Sequence, residues 1–241
     1  MKCAYSALAK QYDNLMGDFD YNGYVAFVDD RLSGQGIDLC CGTGKFTIEL
    51  ARRGRKMIGV DASTEMLNVA RDNARKAGCN LPWIASDVRT FHPGKAVDFV
   101  TCFCDGFNYL PPKDLRATLR AVAGYVRQGG TLVFDVSSEH KLRDILGDNF
   151  FYEDTDSLTY LWTNEYDARL MCVHMQLTLF TPSGADGMYR REDETHTQYV
   201  HTHEAVTEAL QSDWDWEVYD GESYGAFTPE SRRALYVCKR K

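Results

Sequence analysis

The chain has 241 residues, 44% of them hydrophobic and 26% charged, which suits one globular domain with a sizeable insertion, or one and a half domains; no apolar run approaches the roughly 20 residues of a membrane span. A net charge of −8 disfavours a polyanion as the main partner, because nucleic-acid binding draws on clustered Lys and Arg. Eight cysteines argue against a disulfide framework in a chain this long, and the adjacent Cys40 and Cys41 suit neither a zinc site nor a redox pair, so no metal is expected. The opening Met-Lys-Cys-Ala-Tyr-Ser has no signal-peptide core, and the expected location is cytoplasmic.

The first legible element is Gly36-Ile-Asp-Leu-Cys-Cys-Gly-Thr-Gly-Lys45, an apolar strand carrying Asp38, a turn with glycines two apart, and a helix over about 43–53. Gly42 and Gly44 lack the Cβ atoms that would hold backbone away from a ligand, and they permit positive φ. A dinucleotide fingerprint fails at Thr47, where a third small residue is needed. A phosphate loop fails because Phe46 follows Lys45 and Leu39 stands where its first glycine belongs. The next strand, 56–60, ends at Asp61, placed to accept hydrogen bonds from both hydroxyls of a ribose. The basic run Arg52-Arg53-Gly-Arg55-Lys56 between them reads as a solvated helix end.

A helix opened by Ser63 and closed near Gly78 follows, then strands near 81–84 and 97–103. After Pro111-Pro112, Leu115, Leu119, Val122 and Val126 recur at helical spacing, and Gly129-Gly130 turns the chain into a strand over 131–135. Such alternation predicts an α/β fold, a doubly wound and mostly parallel sheet with ligands at the carboxyl ends of its strands. Ser137 is expected to cap a short helix carrying Leu142, Ile145 and Leu146. Beyond it the period becomes two: 160–166, 170–180 and 189–201 read as strands of a small antiparallel sheet. A helix over 203–210 and strands over 216–220 and 235–239 then complete the main sheet at seven strands. The expected division is a core of 1–137 and 202–241, with 1–30 as a helical cover, and an inserted β lid over 138–201.

Four of these segments together resemble the class I S-adenosylmethionine-dependent methyltransferases, and the resemblance spans the first 135 residues and the last thirty or so. Asp38-Leu-Cys-Cys-Gly-Thr-Gly44 is similar to the family's loop under the methionine part of the cofactor, which implicates Asp38, Cys40, Gly42, Thr43 and Gly44. Asp61-Ala-Ser-Thr-Glu-Met66 is similar to the second motif, with Asp61 and Ala62 at the ribose and Met66 against the adenine. Ser86-Asp87-Val88 looks like the third, in which Asp87 takes the adenine amino group and the Val88 amide meets the ring. Asp98-Phe-Val-Thr-Cys-Phe-Cys-Asp105 resembles the fourth strand, with Cys102 and Cys104 bordering cofactor and substrate. The insert and the opening 4–16 segment resemble the covers of bacterial small-molecule methyltransferases and, more distantly, of glycine N-methyltransferase-like enzymes. The implied cofactor is S-adenosyl-L-methionine, the implied partner a small molecule, and the expected assembly a monomer or homodimer.

Transfer of a sulfonium methyl needs chiefly in-line placement and desolvation, and aromatic faces favour the cation. Tyr5, Tyr12, Tyr109 and Trp162 are the aromatic candidates, each weighed against a core role. Tyr12, Tyr109 and His196 are the candidate catalytic residues; Tyr5, Asn108, Tyr109, Trp162 and His196 are the candidates for holding substrate. His196 is the first choice of base because alternation puts it on one face with Glu192 and Glu194, against the competing reading that it is structural. Two other functions stay open: a binding module that senses the cofactor without catalysis, and methylation of RNA or protein.

Overall fold

The computed structural model describes residues 5, 8–17, 19–184 and 187–241. A seven-stranded sheet is built from β1 (Gln35–Leu39), β2 (Lys56–Asp61), β3 (Trp83–Ala85), β4 (Val97–Cys102), β5 (Val126–Ser137), β10 (Trp214–Asp220) and β11 (Arg233–Arg240). Its order is β3-β2-β1-β4-β5-β11-β10, and β11 runs antiparallel to both neighbours while β1 to β5 pair in parallel. Two-residue alternation sends successive side chains to opposite faces. Phe99, Val133 and Leu235 pack with α2 (Tyr21–Asp29) and α3 (Lys45–Arg52) on one face. Val100, Leu132, Phe134 and Tyr236 pack with α5 (Pro112–Tyr125) and α6 (His203–Leu210) on the other. On α5 the apolar stripe Leu115, Leu119 and Val122 is fully sequestered, and burying each such side chain stabilises by about 1.5–3 kcal/mol. Between them α4 (Thr64–Lys76) is capped by Ser63, whose hydroxyl accepts from the Met66 amide at 3.1 Å.

The insert lies between β5 and α6 as a second sheet, β6 (Phe150–Asp154), β7 (Thr159–Asp167), β8 (Cys172–Pro182) and β9 (Tyr189–Tyr199), paired antiparallel in that order. Its inner face carries its own core of Val173, Met175, Leu177 and Leu179, joined by Leu142, Leu146 and Leu8. Along β9 the alternation buries Glu194, His196 and Gln198 on that same face. Among the described residues no helix is long and apolar enough to cross a membrane.

Four local expectations are corrected. A fourth insert strand, β6, was not foreseen: Phe150, Phe151 and Tyr152 are contiguous aromatics, so the strand shows no alternation. Leu170 belongs to a reversal in which Asp167 Oδ1 accepts from the amides of Arg169 and Leu170, both at 2.8 Å, and β8 starts only at Cys172. Ser138 rather than Ser137 caps the turn of helix over His140–Leu146, accepting from the Lys141 amide at 3.1 Å; Ser137 is still in β5 and its amide donates to Asn108 Oδ1. Finally, β5 begins at Val126, because the Gly129-Gly130 segment is absorbed as a register shift between β4 and β5 rather than forming a turn before the strand.

The site end of the sheet is tied beneath its surface by Asp38, which is 1% exposed. Its Oδ2 accepts from the Thr47 hydroxyl of α3 at 2.5 Å and its Oδ1 from the Thr101 hydroxyl of β4 at 2.7 Å, so one carboxylate joins three elements. Burial raises its pKa from 3.8 to about 6, against the two hydroxyl donors. With the folded pKa raised, the native state binds more protons than the unfolded chain between these values, and this group costs stability as pH rises from about 4 to about 6. Asp38→Asn, which keeps the shape without the charge, is therefore expected to gain on the wild type in urea midpoint from pH 4.5 to 6.5 and no further above it. Asp38→Ala, which orphans both hydroxyls, is expected to lose about 1–3 kcal/mol. A midpoint difference between Asp38→Asn and wild type that ignores pH contradicts the assignment.

Candidate active site

The bend after β1 takes left-handed backbone at Cys40 (φ 52°), Gly42 (φ 53°) and Gly44 (φ 78°). The two glycines serve different ends. A Cβ on Gly44 would meet the Trp83 ring at 2.5 Å and Ala70 at 3.1 Å, so packing as well as backbone requires it. A Cβ on Gly42 would meet nothing within 4 Å and would project into open space beside a cavity that this residue lines. At the end of β2, Asp61 accepts from the amides of Gly42 and Ser63, each at 2.8 Å, one on each carboxylate oxygen. Burial raises its pKa, opposed by these amide donors. Each oxygen keeps a second lone pair for a hydroxyl donor.

The cavity has a volume of about 330 Å³. From β2 and β3 it is lined by Asp61, Ala62, Met66, Asp87 and Val88; from β1 by Asp38, Cys40, Gly42 and Thr43; from β4 and the N-terminal cover by Tyr5, Tyr12, Cys104 and Tyr109. Asp87 is chelated by the Arg89 guanidinium, which holds its carboxyl below the usual range.

Beyond β4 the chain makes two successive left-handed residues, Cys104 (φ 54°) and Asp105 (φ 64°). Asp135, fully buried at the end of β5, holds this unfavourable backbone by accepting from the Cys104 amide at 3.0 Å and the Asp105 amide at 2.8 Å. It also accepts from the Tyr24 hydroxyl at 2.6 Å and pairs with Arg233 at 2.6 Å, so the buried charge is compensated. A 3-10 turn over Gly106–Tyr109 follows, pinned by His201, whose Nε2 donates to the Phe107 carbonyl at 3.1 Å. Burial lowers the His201 pKa to about 4, so the ring is neutral at physiological pH.

That turn presents Tyr109. Its hydroxyl lies 3.2 Å from His196 Nδ1 and 2.5 Å from the Tyr5 hydroxyl. His196 Nε2 stands 3.3 Å from Glu194 Oε1, off the angle of a hydrogen bond, and Glu194 accepts in addition from the amides of Tyr5 and Leu8. The Tyr5 ring lies 4.7 Å from the imidazole, 5.6 Å from Tyr12 and 5.7 Å from Tyr109. Burial pushes all three phenols up, so they stay neutral.

Tyr5, Tyr12, Asp38, Cys40, Gly42, Thr43, Asp61, Ala62, Met66, Asp87, Val88, Cys104 and Tyr109 thus share one wall, and His196 stands directly behind it. Gly44 and Cys102 lie beneath, in packed surroundings. Asn108 is brought elsewhere: it is fully buried and spends its amide on the carbonyls of Ser137 and Tyr199. Trp162 also lies away from the cavity, its ring 5.4 Å from Phe151 and its Nε1 donating to Asn164 at 2.6 Å, inside the insert's own core. Sequence reasoning missed Asp13 and Asp135. The only signal for Asp13 was its place beside Tyr12, and Asp135 read as the last residue of an ordinary strand.

Comparison with known proteins agrees with this architecture. The family model described as a methyltransferase domain matches residues 37–130. A putative methyltransferase of Geobacillus sp. (strain WCH70) is 31% identical over 202 residues, covering 80% of this chain and 81% of that protein. The glycine N-methyltransferase of Rattus norvegicus is 28% identical over 73% of this chain and 67% of that protein. A crystal structure of an S-adenosylmethionine-dependent methyltransferase from Clostridium acetobutylicum ATCC 824 is similar with a TM-score of 0.87, at 29% identity over 98% of both chains. Since the likeness runs through the whole fold, insert included, and the cavity opens where that fold gathers its strand ends, the chain belongs to the class I S-adenosylmethionine-dependent methyltransferases.

Proposed function

We propose that this methyltransferase acts on a small molecule enclosed between the strand ends, the N-terminal cover (1–30) and the insert (138–201), and that Tyr109 and His196 take the proton the acceptor gives up. The observation that carries this reading is the line from the cavity wall through the Tyr109 hydroxyl to His196 and Glu194. The cavity suits S-adenosylmethionine on its own chemistry. Gly42 leaves open space beside the cavity wall, Asp61 has lone pairs free for two hydroxyls, and the faces of Tyr5 and Tyr12 favour a cation. When bound, the cofactor supplies an electrophilic methyl on a good leaving group.

The protein's own part is placement and the proton. With the Tyr109 hydroxyl donating to Nδ1 of His196, the ring proton sits on Nε2, 3.3 Å from the Glu194 carboxylate. Because the Tyr109 phenol is held well above its ordinary pKa, a free phenolate is disfavoured. The acceptor's proton therefore passes to the Tyr109 oxygen as the phenolic proton passes to His196 Nδ1. Enclosure favours a small acceptor over RNA or a protein, and the net charge of −8 agrees. The rat relative, whose name gives glycine as its acceptor, points the same way. We place the reaction in the cytoplasm, in keeping with the seven free cysteines among the described residues, and expect a monomer or homodimer.

Incubating the purified protein with methyl-labelled cofactor and fractionated cell extract, with mass analysis of what gains the label, identifies the acceptor; label found only in RNA or protein overturns the small-molecule reading. In that assay His196→Asn and Tyr109→Phe are each expected to lower kcat by roughly 10²–10⁴, and the double variant little further, with cofactor affinity kept within about twofold. Full activity in Tyr109→Phe rules out the relay. Asp61→Ala is expected to weaken cofactor binding about tenfold or more by calorimetry, and unchanged affinity contradicts the ribose assignment.

A further inference from the structure

The N-terminal cover is anchored on the insert side by Leu8, which is buried in the insert's core, whereas the stretch over 11–15 is only partly buried. Its helix α1 (Tyr12–Leu15) is four residues long, buries none of them fully and has no side-chain cap. What it does have is Asp13. Asp13 Oδ1 accepts from the Thr43 hydroxyl at 2.6 Å, and its Oδ2 accepts from Asn73 Nδ2 at 2.8 Å and faces Lys45 Nζ at 3.4 Å. Asn73 also donates to the Thr43 carbonyl at 3.1 Å, so the cover, the glycine bend and α4 meet in one polar knot.

Thr43 and Lys45 both line the cavity, as does Tyr12, the residue before Asp13. We propose that Asp13 is the positioning residue that fastens the cover across the cofactor cavity, holds Tyr12 on its wall and sets how long the cofactor stays bound. Three donors on one carboxylate, one of them cationic, give a contact stronger than a neutral hydrogen bond. The Asp13 side chain is 21% and the Lys45 side chain 41% exposed, so salt weakens the pair and the knot can open to let ligand pass. The inference rests on the cofactor cavity and not on the acceptor, so it is read by binding alone, whatever becomes of Tyr109 and His196.

The test uses S-adenosylhomocysteine, which binds without turnover. Asp13→Ala is expected to weaken its affinity about tenfold in calorimetry, mainly through faster dissociation, and to speed tryptic cleavage after the exposed Lys10 in the ligand-bound protein by a similar factor. Asp13→Glu, which keeps the charge, is expected to restore part of both. A purely structural role lowers the unfolding temperature equally with and without ligand, whereas the latch role shrinks the increment that the ligand adds. Affinity and Lys10 cleavage both within about twofold of wild type overturn the proposal, as does an unchanged ligand increment. If circular dichroism shows Asp13→Ala unfolded, Asp13→Asn, which keeps the shape and one acceptor oxygen, is judged by the same criteria.

Discussion

The Asp61 carboxylate, gripped by the amides of Gly42 and Ser63, is the interaction on which the rest of the site depends. It joins the ends of two adjacent parallel strands to the glycine bend and to the start of α4. A parallel sheet with helices on both faces leaves its strand ends open along one edge. Each acid then needs local donors to stay there at a tolerable desolvation cost. Asp61 obtains amides, Asp38 obtains two hydroxyls and Asp135 obtains amides, a phenol and a guanidinium. The three carboxylates differ in role because they differ in partners. Asp38 has both oxygens engaged by threonine hydroxyls, Asp135 props the strained backbone after β4, and Asp61 carries one amide on each oxygen at the cavity wall.

The chemistry that follows is modest in what it asks of protein groups. A sulfonium methyl is already reactive, so exclusion of water and alignment supply most of the advantage. Glu194 on β9 accepts from the amides of Tyr5 and Leu8 and so ties the N-terminal segment to the insert. The same carboxylate faces His196, which in turn meets Tyr109 on the turn after β4. The hold on the N-terminal segment and the surroundings of the imidazole therefore draw on one residue.

What was legible in the amino-acid sequence was local. Gly42, Asp61, Ser63 and Met66 lie within 25 positions and their spacing alone fixes strand, bend and capped helix, so the sequence brings together four residues that line the cavity. The alternation that put Glu194 and His196 on one face of a strand held equally well, because a period of two does not depend on the partner strand. Trp162 was misplaced by the same reasoning. Alternation says that two residues share a face, but not whether that stretch of face covers the cavity or the insert's own core. Asn108 looked available beside Tyr109, yet its carboxamide closes the gap between β5 and β9. Asp13 and Asp135 were invisible because their partners lie 30 to 111 positions away and only the folded topology brings them near.

A crystal structure of the protein with S-adenosylhomocysteine tests the central claim most directly. The account predicts both ribose hydroxyls within about 2.6–3.2 Å of the Asp61 oxygens, with the bend at Gly42 against the ligand and the Tyr12 ring beside the sulfur. A ligand bound away from Asp61, or one that leaves the Gly42 bend facing solvent, contradicts it.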